Sequence, residues 1–444
     1  MRISLEAKEL PDKWYNIVPD LDFVPPTMMS PSGYTLVHHD LETLAPHAII
    51  DQELEQERRD IPIPSKVREF YSQWRPTPLY RAERLEKILE TPARIFYKYE
   101  AGGHELNTAI PQVYYAAQEN VQRIVSATAN GEWGVSLTTA CNYFNIQSKV
   151  YMVRSSYEEK AYGRYVMEIL GAEVVSSPSE KTRVGKKVLS QNPQSSGSLN
   201  IALSEALEET STDDNTKFSW GTVLNHVLLH QTIIGLEAKL QMHRAGARPD
   251  IIISAVGGGS AFGGLIFPFY PQRGEGIRMI AAETIASPSL SKGRYTYDYA
   301  DASGLSPLLK MYTLGHGFIP PGIQAGSMRY HGISPLVSAL YREKQIEAKS
   351  YTQRQAFEAA VRFARTEGII PSIESSYTIR AVLDEALACK ERNERKNILF
   401  VLDANSNFDV ATFKDFLVGV LEDQPFPEES VQMALAQLPE ESPQ

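Results

Sequence analysis

From Arg94 onward, short runs of β-branched and aromatic residues alternate with longer stretches in which apolar positions recur every three or four residues. The short runs predict strands at 94–100, 123–128, 148–153 and 172–176, and the longer stretches predict helices at about 108–119, 132–145, 157–170 and 182–190. A second set begins with a helix from about Leu199 to Glu209. It continues with one long helix from Gly221 to Ala245 and the strand Asp250 to Val256, which runs straight into Gly257-Gly258-Gly259-Ser260. Toward the C-terminus the pattern predicts helices at 353–366 and 375–391, a strand from Lys396 to Leu402 and a final helix from Asp409. Such alternation is the signature of parallel strands joined by helical crossovers, so the fold class is α/β, with twisted, mainly parallel sheets flanked by helices.

Two stretches break the rhythm. Residues 1 to about 75 are rich in Pro, Asp and aromatics with only short periodic pieces, which reads as an extension wrapped on the surface of the main body. Residues 284 to 335 are low in periodicity and dense in Gly, Pro, Ser and Tyr; a loop this long in a compact body is usually functional. No internal repeat or low-complexity segment is visible.

Composition narrows the function. The 444 residues are 43% hydrophobic, enough to bury a substantial core in two lobes. A net charge of −10 argues against a nucleic-acid or membrane surface, either of which would show basic clustering. No apolar run reaches the roughly 18 residues of a membrane span, and Met1 to Leu10 lacks a signal-peptide core, so the expected location is cytoplasmic. Cys141 and Cys389 both fall in apolar-periodic helical runs and read as buried free thiols of a reducing compartment. Trp220, His226 and His230 lie in the apolar helix and read as packing residues.

Candidate chemistry gathers at strand ends. The run Gly102-Gly103-His104-Glu105-Leu106-Asn107-Thr108-Ala109 separates the strand at 94–100 from the next helix, the place where open α/β sheets put their ligands. Gly257-Gly258-Gly259-Ser260 joins an apolar strand to a helix, and such a turn lets backbone N–H groups and a helix N-terminus hold a phosphate or carboxylate.

The 102–109 run resembles the G-S-H-K-x-N-T-A signature of the tryptophan synthase β chains, specifically their second, longer type, which are pyridoxal-phosphate (PLP) enzymes. Other segments resemble the same family. They are Arg75-Pro76-Thr77-Pro78-Leu79 (R-P-T-P-L), Ser126 to Gly134 (T-E-T-G-A-G-Q-W-G) and Val401 to Asn407 (N-L-S-G-H-G), together with Ser291-Lys292-Gly293-Arg294-Tyr295 and Arg329-Tyr330-His331-Gly332. The resemblance covers about residues 70 to 420. It implies a two-lobed tryptophan-synthase-β-like fold, divided into an N-terminal extension (1–75) and a catalytic body (76–444) with a smaller lobe at about 108–205. It also implies a homodimer.

At the position where the family's lysine carries PLP, this chain has Glu105, and a carboxylate cannot form an imine. Ala127 stands where the family has its proton-carrying Glu, Glu132 where it has Gln, Ala261 where it has the Asn after the glycine turn, and Asp403 where a Ser meets the pyridine nitrogen. Glu132 places a potential negative charge where the family binds the substrate carboxylate, which disfavours amino-acid substrates.

The expected pocket therefore has Glu105, His104, Glu132 and Asp403 as catalytic groups. Its ligand-binding residues are Asn107, Thr128, Asn130, Gly131, Gly257, Gly258, Gly259, Ser260 and Glu374, and its spacing demands no metal. Clustered carboxyls push at least one pKa upward, as a general acid at neutral pH requires. The expected protein is a cofactor-independent enzyme using Glu105 for acid/base chemistry on a small molecule in a biosynthetic pathway, of lyase, isomerase, cyclase or condensation type. Two alternatives stand beside it: a catalytically silent homologue that binds a ligand or partner, and a residual PLP-dependent lyase of tryptophan synthase type.

Overall fold

A computed structural model describes residues 1–159, 161–404 and 406–438. Two sheets organise it. The larger has seven strands, in the spatial order Arg2–Ile3, Leu79–Arg81, Arg94–Glu100, Asn397–Asp403, Ile251–Ala255, Arg278–Thr284 and Glu347–Tyr351. Its five strands from Arg94–Glu100 to Glu347–Tyr351 are mutually parallel, and the first two add on antiparallel. The smaller sheet is wholly parallel, in the order Glu173–Ser177, Gln147–Val153, Arg123–Thr128 and Thr216–Phe218. Strands covered on both faces read as continuous apolar runs, as Ile251-Ile252-Ile253 and Ile398-Leu399-Phe400 do; all six residues are buried.

Parallel pairing aligns the strand ends. The register Asn397↔Arg94 through Asp403↔Glu100 puts Asp403 beside the residue from which the 102–109 run departs, and the Ile251–Ala255 strand delivers the glycine turn at the same edge. The site is thus set by strand register and not by loop composition.

Beneath it lies an ion network. The buried guanidinium of Arg75 donates to Glu100 (2.8 Å) and Glu237 (2.9 Å), and to Asn107 Oδ1 (2.9 Å). Lys98 Nζ donates to Glu237 (2.5 Å), Gln241 (3.0 Å) and the Thr77 carbonyl (2.5 Å). A buried charge is tolerated only when paired and fully hydrogen-bonded, and here each of these cations faces several acceptors.

The structure departs from the sequence reading in three places. The long helix expected from Gly221 to Ala245 is two, Asn225–Gln231 and Ile233–Arg244. At the break the Thr232 hydroxyl donates to the Leu229 carbonyl (2.6 Å) and accepts the Tyr15 amide (3.0 Å), a side-chain bond that interrupts the helical ladder while stitching the N-terminal segment to the body. The loop expected over 284–335 contains the antiparallel pair Arg294–Tyr299 and Leu308–Thr313, whose residues Arg294-Tyr295-Thr296-Tyr297-Asp298-Tyr299 carry the period of two that a half-buried strand requires. The helix expected to be final, from Asp409, starts at Ser406, and a further helix follows at Glu428–Leu435.

Both cysteines are buried free thiols, and no helix among the described residues is long and apolar enough to cross a membrane. His226 and His230 are buried in the core, against Glu53 (2.6 Å) and Gln52 (2.7 Å).

Candidate functional site

A cavity of about 120 Å³ opens where the carboxyl ends of the two sheets meet. Its walls carry His104, Glu105, Thr128, Asn130, Glu132, Gly257, Gly258, Ser260, Glu374 and Asp403. Three of the residues expected to bind a ligand do not reach it. Asn107 is fully buried behind it, accepting from Arg75 and donating to Gln231 Oε1 (3.0 Å), while Gly131 and Gly259 shape the turns without lining the space. Gly131 (φ +102°) and Gly259 (φ +109°) occupy the left-handed region that favours glycine, each immediately before a helix. Asn405, within the segment Val401 to Asn407, lies outside the described residues.

Sequence reasoning missed other wall residues. Trp220, taken for packing, lines the cavity, as do Thr222, Ser327, Tyr330 and Thr378. Thr222 sat inside what read as a helix, but the backbone at 221–224 is irregular, with Val223 at φ +64°. A β-branched residue in that region is a genuine outlier, and such strain gathers at binding sites. The lone signal available in the sequence was Gly221, where the Trp133 ring leaves no room for a Cβ.

The charged groups form one cluster. His104 Nδ1 lies 3.0 Å from Asp403 Oδ2 and 4.0 Å from Glu105 Oε2. Donor atoms of these three residues fall within 4.8 Å of one another, close enough to share a small cation. Burial works against charge on His104, but the carboxylates of Glu105 and Asp403 outweigh it, and its pKa is pushed up to about 10, so the ring is an imidazolium at neutral pH. Burial raises the Glu105 pKa; His104 pulls it down and Asp403 pushes it up, leaving it above the usual carboxylate range. Glu132 lies well above that range, first through burial and then through Glu374, Asp409, Glu105 and Asp403.

Hydrogen bonds fix the rest. Asn130 Nδ2 donates to Glu132 Oε2 (3.0 Å), the Ser327 amide to Glu374 Oε1 (2.6 Å), and the Asp403 amide to Ser375 Oγ (2.8 Å). Three buried polar atoms on the walls have no partner: Glu132 Oε1, Asp403 Oδ1 and Thr222 Oγ1. Buried polar atoms are almost always satisfied, so three orphans around one cavity mark a place built around a ligand. Among the described residues lining it there is no lysine and no arginine.

Residues 71–403 match the family model described as "Pyridoxal-phosphate dependent enzyme". The chain is similar to tryptophan synthase beta chain 2 of Methanosarcina acetivorans, at 47% identity over 95% of this chain and 97% of the relative. It is likewise similar to that of Aquifex aeolicus, at 48% identity over 95% of this chain and all of the relative. Among solved structures, a fungal L-serine ammonia-lyase from Rhizomucor miehei superposes with a TM-score of 0.56 at 14% identity, over 77% of this chain and 98% of that one, which shows the shared fold.

These matches overturn two expectations. Neither a cofactor-independent enzyme nor a pocket without a cofactor is compatible with a PLP-dependent family model over three quarters of the chain and relatives at 45–48% identity along nearly all of it. The exchanges at 105, 127, 132, 261 and 403 were given more weight than the likeness along the rest of the chain.

Proposed function

The chain belongs to the tryptophan synthase β chain family of PLP-dependent enzymes, and on that premise we propose that it is a PLP-dependent lyase whose cofactor is held in this cavity without a lysine link. When bound, PLP supplies an electron sink for a carbanion formed beside a substrate amine.

The residues present fit the two ends of the cofactor. At one end, Gly257 and Gly258 have no room for a Cβ, against Ser327 and Thr222 respectively, and Ser260 opens a helix, so backbone N–H groups can approach a phosphate closely. At the other, Asp403 Oδ1 has no partner and suits a protonated pyridine nitrogen. The attachment point does not fit a lysine link. Glu105 stands there, and the nearby Lys98 is spent on Glu237, Gln241 and the Thr77 carbonyl. The observation that carries the proposal is the pairing of the glycine turn with the partnerless Asp403 oxygen across one cavity.

The protein's own groups then have definite tasks. Glu105, its pKa raised by burial, holds or releases a proton at its carboxyl beside His104. The imidazolium of His104, anchored on Asp403, would hold positive charge beside a developing anion at that end of the cavity. Glu132 and Asn130, hydrogen-bonded to each other, face the substrate side, and the Trp133 and Trp220 rings help keep water out. The assembly we propose is a cytoplasmic homodimer, which sedimentation of the purified protein tests.

Equilibrium dialysis against PLP tests the function. Retention of one cofactor per chain, weakened at least tenfold by Asp403→Ala, is the expected outcome; failure to retain PLP at millimolar concentration contradicts the proposal.

A further inference from the structure

The walls of the cavity show which substrate charge it accepts. Four carboxyl groups, those of Glu105, Glu132, Glu374 and Asp403, line it, against the single cation His104 among the described residues. That cation is already engaged, 3.0 Å from Asp403. An incoming carboxylate therefore meets no unengaged positive side chain.

The turn 128–131 adds a second observation. It precedes the helix Glu132–Phe144, where backbone amides would ordinarily receive an anion. Here the chain caps those amides itself: the Gly131 N–H donates to Thr128 Oγ1 (3.1 Å) and the Glu132 N–H to Asn130 Oδ1 (3.3 Å). A substrate carboxylate would have to displace both bonds and then lie against the Glu132 carboxyl.

Glu132 itself is the third. It is only 8% exposed, one of its oxygens accepts from Asn130, and the other, Oε1, has no partner although the residue lines the cavity. A buried acceptor left unmatched beside three further acids is a position for a donor that carries positive charge.

We propose that the substrate end of this cavity takes a primary amine in its ammonium form, with Glu132 Oε1 as its anchor, and excludes an α-amino carboxylate at that end. The inference names the substrate class of the site proposed above and rests on that cavity being the ligand site. An ammonium offers three N–H donors; one satisfies Glu132 Oε1, and the cluster of acids compensates its charge. The Asn130 amide, already holding Glu132 Oε2, fixes the carboxyl toward the space.

Calorimetric titration of the full chain with n-butylamine and, separately, with L-serine tests it, each with and without PLP. The expected result is butylamine binding at least about tenfold tighter than L-serine, with Glu132→Gln weakening butylamine by about tenfold or more, the scale of one charge-assisted hydrogen bond. Thermal melting of Glu132→Gln controls for folding, and Glu132→Asp, which keeps the charge, should retain part of the amine affinity. Equal or tighter binding of L-serine overturns the proposal, as does butylamine affinity unchanged in Glu132→Gln. PLP retention is read on the same samples. Amine binding without PLP retention sinks the cofactor reading alone, whereas PLP retention with a preference for L-serine sinks the amine proposal alone.

Discussion

Two groups of acids in this protein behave in opposite ways. Glu100 and Glu237 sit beneath the cavity with the guanidinium of Arg75 between them and the Lys98 ammonium on Glu237. Burial alone would raise the pKa of Glu100, but Arg75 and Lys98 outweigh it and hold it down to about 2. Glu105, half-buried, and Glu132, buried, lie on the cavity wall without a lysine or arginine among the lining residues, and their pKa values are raised. The first pair is structural; the second has no lysine or arginine beside it on the cavity wall. Burial is common to both; the presence or absence of a fixed partner decides which acid stabilises the fold and which spends stability on function.

The largest effect should come from breaking the satisfied group. Arg75→Met leaves two carboxylates buried without their cation and should cost about 3–5 kcal/mol, seen as a loss of soluble protein or a much lower midpoint in urea. Intact, the network has the pH dependence of a depressed acid. Its contribution is present above the ordinary carboxylate range and is lost as pH falls toward 2, where Glu100 takes up a proton.

Next is the unsatisfied group, where the sign reverses. A carboxyl whose pKa is raised on folding holds its proton more tightly in the native state, so it costs stability as pH climbs above the unfolded value. Glu132→Gln should therefore stabilise the ligand-free protein at pH 8, with the gain shrinking toward zero near pH 4, measured by thermal melting across that range. A destabilised variant at pH 8 would mean that Glu132 has a cationic partner in the free protein and that the contrast drawn here is false.

A smaller effect concerns His104. Its pKa near 10 depends on Glu105 and Asp403 overcoming burial. Asp403→Asn should bring its titration down by about one pH unit or more, followed by NMR of the imidazole protons. The smallest is at the helix break: Thr232→Val removes the hydroxyl that accepts the Tyr15 amide and should cost about 1–2 kcal/mol in urea unfolding without changing ligand affinity.

Much of this architecture was legible in the chain. The strand Arg94–Glu100, the helix that begins at Glu132 and the glycine turn after Ile251–Ala255 follow from local periodicity and turn chemistry, which act over a few residues. The split at Thr232 was not legible, because it is made by an amide 217 residues away. The hairpin at 294–313 was hidden by its Gly- and Ser-rich surroundings although its alternation was present. In the site, the acids were found because each stood in a recognisable segment; Thr222 and Trp220 were not, since the irregular backbone that turns them to the cavity leaves no periodic trace. The cofactor was misjudged for a physical reason as well. A ligand is held by many contacts, and the glycine turn remains, with Asp403 in place of the family's Ser, when one covalent anchor is absent.

The most direct test compares the natural protein with Glu105→Lys after incubation with PLP, borohydride reduction and intact-mass measurement. If the cofactor is held without a lysine link, the natural protein retains PLP before reduction but shows no fixed adduct in its mass, and Glu105→Lys gains one reduced pyridoxyl group mapped to position 105. A stoichiometric reduced adduct on any lysine of the natural protein, or no PLP retained by either, would contradict it.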